Sequence, residues 1–142
     1  MLRSKMVPVK RALLSFACVI FASCENPGAA DRPVTTGLWG GVGIRLEVMS
    51  QGATIEYDCA HGTIDQPLVA DRNGRFSLTG THVREHGGPI RIDEPVDRHP
   101  ARYDGKVRGT SMQISVTLLD SNQAVGTFAA TLNGSARIVK CL

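Results

Sequence analysis

Residues 44–59 read IRLEVMSQGATIEYDC, and the period of this stretch decides the fold. Ile44, Leu46 and Val48 fall on one side of an extended chain, with Arg45 and Glu47 on the other. Gln51-Gly52 can turn the chain, after which Ile55, Tyr57 and Cys59 alternate with Thr54, Glu56 and Asp58. Successive side chains on a pleated strand point to opposite faces, so a period of two over such short runs predicts half-buried antiparallel strands.

The same alternation extends in both directions. Thr63–Ala70 predicts a weaker strand, with Pro67 marking an edge or a bulge because it has no N–H to give a ladder. Asp71-Arg72-Asn73-Gly74 predicts a hairpin turn in which Asn-Gly takes positive φ at both central positions. Strands are expected at Arg75–Arg84, Arg102–Arg108, Met112–Leu119 and Val125–Leu132. Asn133-Gly134 then turns the chain into a last strand, Ala136–Cys141. Met112, Ile114, Val116 and Leu118 form the clearest apolar face, and nowhere do apolar residues recur at helical spacing for ten residues. Eight strands, short turns and no helix predict an all-β fold, a small antiparallel barrel built as a meander, with a β-sandwich as the alternative. Gly105 and Gly109 are candidate bends in such a barrel.

Gly37-Leu38-Trp39, at the start of the first strand, resembles the G-x-W opening of lipocalin- and avidin-like barrels. The resemblance implies a tryptophan packed across one barrel end, and bears on fold more than on function.

Upstream of the barrel, Met1–Arg11 is basic, Ala12–Phe21 (ALLSFACVIF) is apolar, and small residues lead to Cys24. These are the three regions of a secretory signal, and ten to twelve apolar residues are too few to span a bilayer. Phe21-Ala22-Ser23-Cys24 resembles the lipobox of bacterial lipoproteins, which implies a diacylated Cys24 as the first mature residue. Two acyl chains anchor stably where one does not. Asp after that cysteine retains such proteins at the inner membrane, and Glu25 stands there instead. The resemblance therefore implies a periplasm-facing protein, favouring the outer membrane. Cleavage after Gly28-Ala29-Ala30 is the competing outcome and would release a soluble periplasmic protein. The expected organisation is a signal over 1–23, a flexible tether over 24–36 rich in Pro and Gly, and one barrel domain over 37–142.

Removing the signal changes the charge. Four of the 16 basic residues, Arg3, Lys5, Lys10 and Arg11, lie within it, leaving 12 against 13 acidic residues and a net charge near −1. That balance gives no reason to expect a nucleic-acid partner.

Cys18 belongs to the signal and Cys24 is the expected lipid site. Cys59 and Cys141 remain, an even pair in an oxidising compartment. A bridge between them would close a loop worth up to ~4.5 kcal/mol in the chain-entropy picture. A two-cysteine metal site is the alternative, though neither cysteine lies in a C-x-x-C pair.

His82-Val83-Arg84-Glu85-His86 matches H-x-x-E-H, a pattern of zinc peptidases. Such a motif needs a helix to bring both imidazoles to one ion, whereas on a strand residues four apart are about 13 Å distant. Surface histidines at a strand end are the expected account. No nucleophile elbow, phosphate loop or dinucleotide fingerprint occurs, Asp71-x-Asn73-Gly74 lacks the ligands of a calcium loop, and the residues indicate no catalytic group, metal or cofactor.

Gly87–Ala101 (GGPIRIDEPVDRHPA) escapes the strand pattern. Three prolines stiffen it, and Arg91, Asp93, Glu94, Asp97 and Arg98 make it the candidate partner-binding loop, since a preordered loop loses less entropy on docking. A solvated loop with internal charge pairing is the alternative. The expectation is a non-enzymatic envelope lipoprotein that binds another protein. Several small lipid-anchored barrels of bacterial envelopes inhibit hydrolases, and this chain is similar to them in size, anchor and disulfide use. A small-molecule carrier with a pocket in the barrel mouth is the alternative.

Overall fold

A computed structural model describes residues 31–89 and 91–141. In chain order the strands are β1 Arg32–Pro33, β2 Gly37–Gly41, β3 Ile44–Met49, β4 Gly52–Tyr57 and β5 Ala60–Ile64, followed by β6 Val69–Ala70, β7 Arg75–Arg84, β8 Arg98–Arg108, β9 Ser111–Leu118 and β10 Ala124–Leu132. Eight of them close an antiparallel barrel in the order β10-β2-β3-β4-β5-β7-β8-β9, while β1 and β6 form a separate two-stranded ribbon. The fold is the expected barrel, not a sandwich.

Alternation places the core. Ile44, Leu46 and Val48 of β3 face Ala53, Ile55 and Tyr57 of β4 on the inner side of the wall, in the register Ile44 opposite Tyr57 and Leu46 opposite Ile55. Met112, Ile114, Val116 and Leu118 line the inside of β9. An eight-stranded barrel is only wide enough for side chains to fill it, and Trp39, Tyr57 and Tyr103 fill it here, all three essentially inaccessible. Tyr103 fits because it lies over Gly62 and Gly80, which present no Cβ, and its hydroxyl donates to the Thr81 carbonyl at 2.5 Å. Gly105 likewise leaves room for the Phe76 ring, whereas Gly109 lies in the β8–β9 turn with φ +57.

Several borders differ from expectation, each for a local reason. Thr63–Ala70 is not one strand: β5 ends at Ile64, and Val69–Ala70 leaves the barrel to pair with Arg32–Pro33. The described part of the expected tether is thus laid against the barrel, where the Val34 N–H donates to Leu68 O at 2.8 Å and both side chains are buried. In the Asp71–Gly74 turn only Gly74 takes positive φ, because the Asp71 carboxylate accepts from the N–H groups of Asn73 and Arg75 and holds the turn itself. β8 begins at Arg98, not Arg102, so the irregular loop is Glu85–Asp97.

Ala136–Cys141 is not a stave. The barrel closes between β10 and β2, with Leu132 opposite Trp39. The C-terminal tail crosses the outside of β2 at Gly40, where a Cβ would collide with the Gly134 carbonyl, and makes one parallel bridge between Val42 and Arg137. Cys59 lies in the β4–β5 turn at φ +53 rather than in a strand. There its N–H donates to Val139 O at 3.1 Å, and it is bonded to Cys141 with their Cα atoms 4.9 Å apart.

Candidate functional site

Antiparallel connectivity sorts the turns into two ends. The proximal end carries the turns at Ser50–Gln51 and Gly109–Thr110, and the N-terminal ribbon closes it with Val34, Leu68 and Ala70. The distal end carries the turn at Val42–Gly43, the Asp58–Cys59 turn, the loop Glu85–Asp97, the turn at Leu119–Gln123 and the disulfide-bound tail. The histidines collect there, because β5 starts, β7 ends and β8 starts at that rim.

His82 and His99 are register partners on β7 and β8. His82 continues the inner face of Phe76, Leu78 and Gly80 and is only 2% exposed, a correction to its reading as a surface histidine. Its ring lies 5.4 Å from that of Tyr57, which in turn lies 5.3 Å from Phe128. Among the described residues the Nδ1 of His82 has no hydrogen-bond partner. Burial lowers the His82 pKa, and Arg84, His99 and His61 lower it further, with Asp97 acting against them. These surroundings favour the neutral imidazole. Burial pushes the Tyr57 phenol far above its ordinary value, with the neighbouring Tyr103 hydroxyl adding to the shift, and burial pushes Tyr103 up to about 12.

His99 has the opposite environment. Its Nδ1 meets Asp120 at 2.6 Å and its Nε2 meets Asp97 at 2.8 Å. Two carboxylates facing both ring nitrogens favour the doubly protonated ring, so its pKa is raised, the Asp120 hydrogen bond first among the causes. Asp120 is lowered in return, chiefly by His99. His86 lies on the surface, with Nδ1 3.0 Å from Gly87 O and Nε2 2.9 Å from Glu94, and both partners raise its pKa. The histidines at either end of H-x-x-E-H thus lie in separate surroundings, His82 in the core and His86 on the surface. Among the described residues no three His, Cys, Asp or Glu side chains converge as a metal site needs.

The candidate loop residues divide into braces and free groups. Glu94 holds His86, and its backbone N–H donates to Arg91 O at 3.2 Å. Asp97 holds His99, lies 3.9 Å from Arg84, and accepts from the Arg84 N–H through its carbonyl at 3.0 Å. Arg98 belongs to β8, opposite Val83, rather than to the loop. Arg91 and Asp93 are exposed, and Ile92 between them is fully so. The distal rim holds a cleft of about 400 Å³, bordered by Tyr57, Asp58, His82, Arg84, Glu85 and Phe128.

The sequence reading missed His82, Arg84, His99 and Phe128 as a group. A usable signal existed for the first: counting in twos from Phe76 lands on His82, which marks it as inward-facing. Their convergence depends on barrel closure, which no local pattern encodes. No family model, curated protein or solved structure matches this chain.

Proposed function

We propose that this chain is a non-enzymatic lipoprotein of the bacterial cell envelope, tethered through acylated Cys24 and facing the periplasm, whose distal rim binds another protein in the manner of a small inhibitor. Cys24 lies outside the described residues, and the anchor rests on the lipobox resemblance. One observation carries the binding reading. Val42, Ile92, Val96, Leu119 and Val139 are five of the eight large apolar side chains that the described residues leave exposed, and all five lie on distal turns, loop or tail. Apolar groups gathered at one end, instead of scattered singly, favour association with another macromolecule. Ion pairs from His86, Arg84 and His99 brace the loop bearing Ile92 and Val96, which reduces the ordering cost of docking. The chain enters at the opposite end, so a tether to the membrane leaves this rim unobstructed.

A carrier with its ligand in the barrel lumen has the packed interior against it, since Trp39, Tyr57 and Tyr103 occupy that space. The partner reading is tested by cross-linking in intact envelopes. The double variant Ile92→Asp, Val96→Asp should lose a captured partner at least tenfold, while Val69→Asp at the proximal end should retain it. Equal capture by both variants would remove the rim from the account.

A further inference from the structure

Among the described residues the ion pairs lie on the barrel wall or at the distal end, and none lies at the proximal end. That end nevertheless carries five cations, Arg32, Arg72, Arg75, Lys106 and Arg108, because the ribbon crosses it, β7 starts there and β8 ends there. They are neighbours. Arg32 and Arg72 border one cleft beside the ribbon. Arg75 of β7 stands opposite Lys106 of β8, and Arg108 lies two residues beyond Lys106, on the same outer side of its strand. Phe76 and Gly105, the next pair in the register, are turned inward and buried, so Arg75 and Lys106 both point out.

Like charges directly opposite each other weaken a sheet, so the Arg75–Lys106 pair calls for an anion from outside. The carboxylates at this end are Asp31, Asp65 and Asp71. Asp71 accepts through Oδ1 from the N–H groups of Asn73 and Arg75, both at 2.8 Å, and Asp65 lies 3.5 Å from the Thr63 hydroxyl. Five cations against three carboxylates leave the end net positive. The other cations outside ion pairs, Arg91, Arg98 and Arg137, are spread over the distal loop, β8 and the tail. Long, exposed cations around one end of a domain suit a surface that carries many phosphates, and Met49, 45% exposed at the end of β3, adds an apolar side chain there. The chain also enters the barrel at this end, through Arg32.

We propose that the proximal end of the barrel is a docking surface for anionic phospholipid headgroups, with Arg32, Arg72, Arg75, Lys106 and Arg108 set against the phosphates. The inference deepens the lipoprotein reading and rests on it for its setting in the cell. So few charges hold a free domain weakly, whereas a lipid tether at residue 24 keeps the same end at the membrane, where weak docking suffices.

The mature chain, residues 24–142 with Cys24→Ala, bears no acyl group, so its binding to vesicles reads the patch alone. Cosedimentation at low salt should show binding to phosphatidylcholine mixed with phosphatidylglycerol about tenfold or more tighter than to phosphatidylcholine alone, weakening as salt is added. The double variant Arg75→Gln, Lys106→Gln should weaken binding to the anionic vesicles about tenfold or more. Arg45→Gln, Arg137→Gln removes the same charge from the wall and the tail and should change it by less than about twofold. Should the first double variant not fold, amide NMR of the chain without those two changes decides. Anionic vesicles should broaden Arg72–Arg75 and Lys106–Gly109 before the distal loop. Equal binding to the two vesicle types, equal loss from the two double variants, or broadening that starts at the distal loop overturns the proposal. Fractionation of Cys24→Ala in the cell reads the anchor separately. An anchor that fails there leaves a positive vesicle result standing, and a negative vesicle result removes the docking surface while leaving the anchor.

Discussion

His82 and His99 stand opposite each other in the sheet, yet their surroundings favour opposite charge states. The folded pKa of His99 is raised above the ordinary 6.5, so its ion pairs stabilise the fold fully below 6.5 and cease to do so as pH rises through the raised value. His86 acts in the same direction. For His82 the sign reverses: its folded pKa is lowered, so stability is full above 6.5 and is lost as pH falls through the lowered value. The melting temperature should therefore pass through a maximum as pH crosses the histidine range. His99→Gln should flatten the alkaline side of that curve and leave the acid side. Imidazole titration by NMR checks the order, and a His82 that titrates at or above His99 would refute it. A second residue-scale expectation concerns Gly62, where an added Cβ would meet the Thr81 carbonyl and the Tyr103 hydroxyl. Gly62→Ala should cost about 1–3 kcal/mol by overpacking, read from denaturant melts. These residue-level features were partly legible. Alternation indicates which way His82 points, but which carboxylates clamp His99 depends on a turn contributed from 21 positions away.

At the scale of elements, alternation located β3, β4, β7, β9 and β10 well, because each buries one face and exposes the other. It failed at both chain ends. β2 is short and glycine-rich, with too few side chains to show a period, and the tail alternates in sequence without joining the sheet. What binds the tail is chemistry instead of pattern: the Cys59–Cys141 bond, the Val139 backbone paired with the Asp58–Cys59 turn, and Lys140 between Glu56 and Glu85. The disulfide also helps hold Cys59 in a left-handed conformation that non-glycine residues seldom adopt. Reduction should lower the melting temperature by roughly ten degrees or more, given a constraint of a few kcal/mol on a domain of this size. The loosening should be local. Amide exchange should speed up at Cys59, Val139 and Arg137, while the amides of β8 and β9 stay protected. Uniform acceleration over the whole barrel would mean that the bond holds the fold itself and not just the tail.

For the whole molecule, the decisive fact is polarity along the barrel axis. Residue 32 joins the ribbon that closes the proximal end, and five of the eight exposed large apolar side chains among the described residues, the braced loop and the His82 cleft lie at the other. Arg32 lies eight positions after Cys24, which at the extended limit of ~3.3–3.6 Å per residue would hold the proximal end within about 30 Å of an acylated cysteine. A lipid anchor there would present the distal rim away from its own membrane, where a partner in the periplasm can reach it. This orientation is measurable with the lipidated chain in vesicles that contain a paramagnetic lipid. A probe attached near Gly109, at the proximal turns, should be broadened strongly, and one attached at Ile92 much less. Cys24→Ala should abolish both effects and move the protein from the membrane to the soluble fraction of the envelope. Equal broadening at the two positions would mean that the barrel lies on its side, with the rim close to lipid. Unchanged fractionation of Cys24→Ala would instead remove the anchor, and with it the physical reason for the two ends of this barrel to face different surroundings.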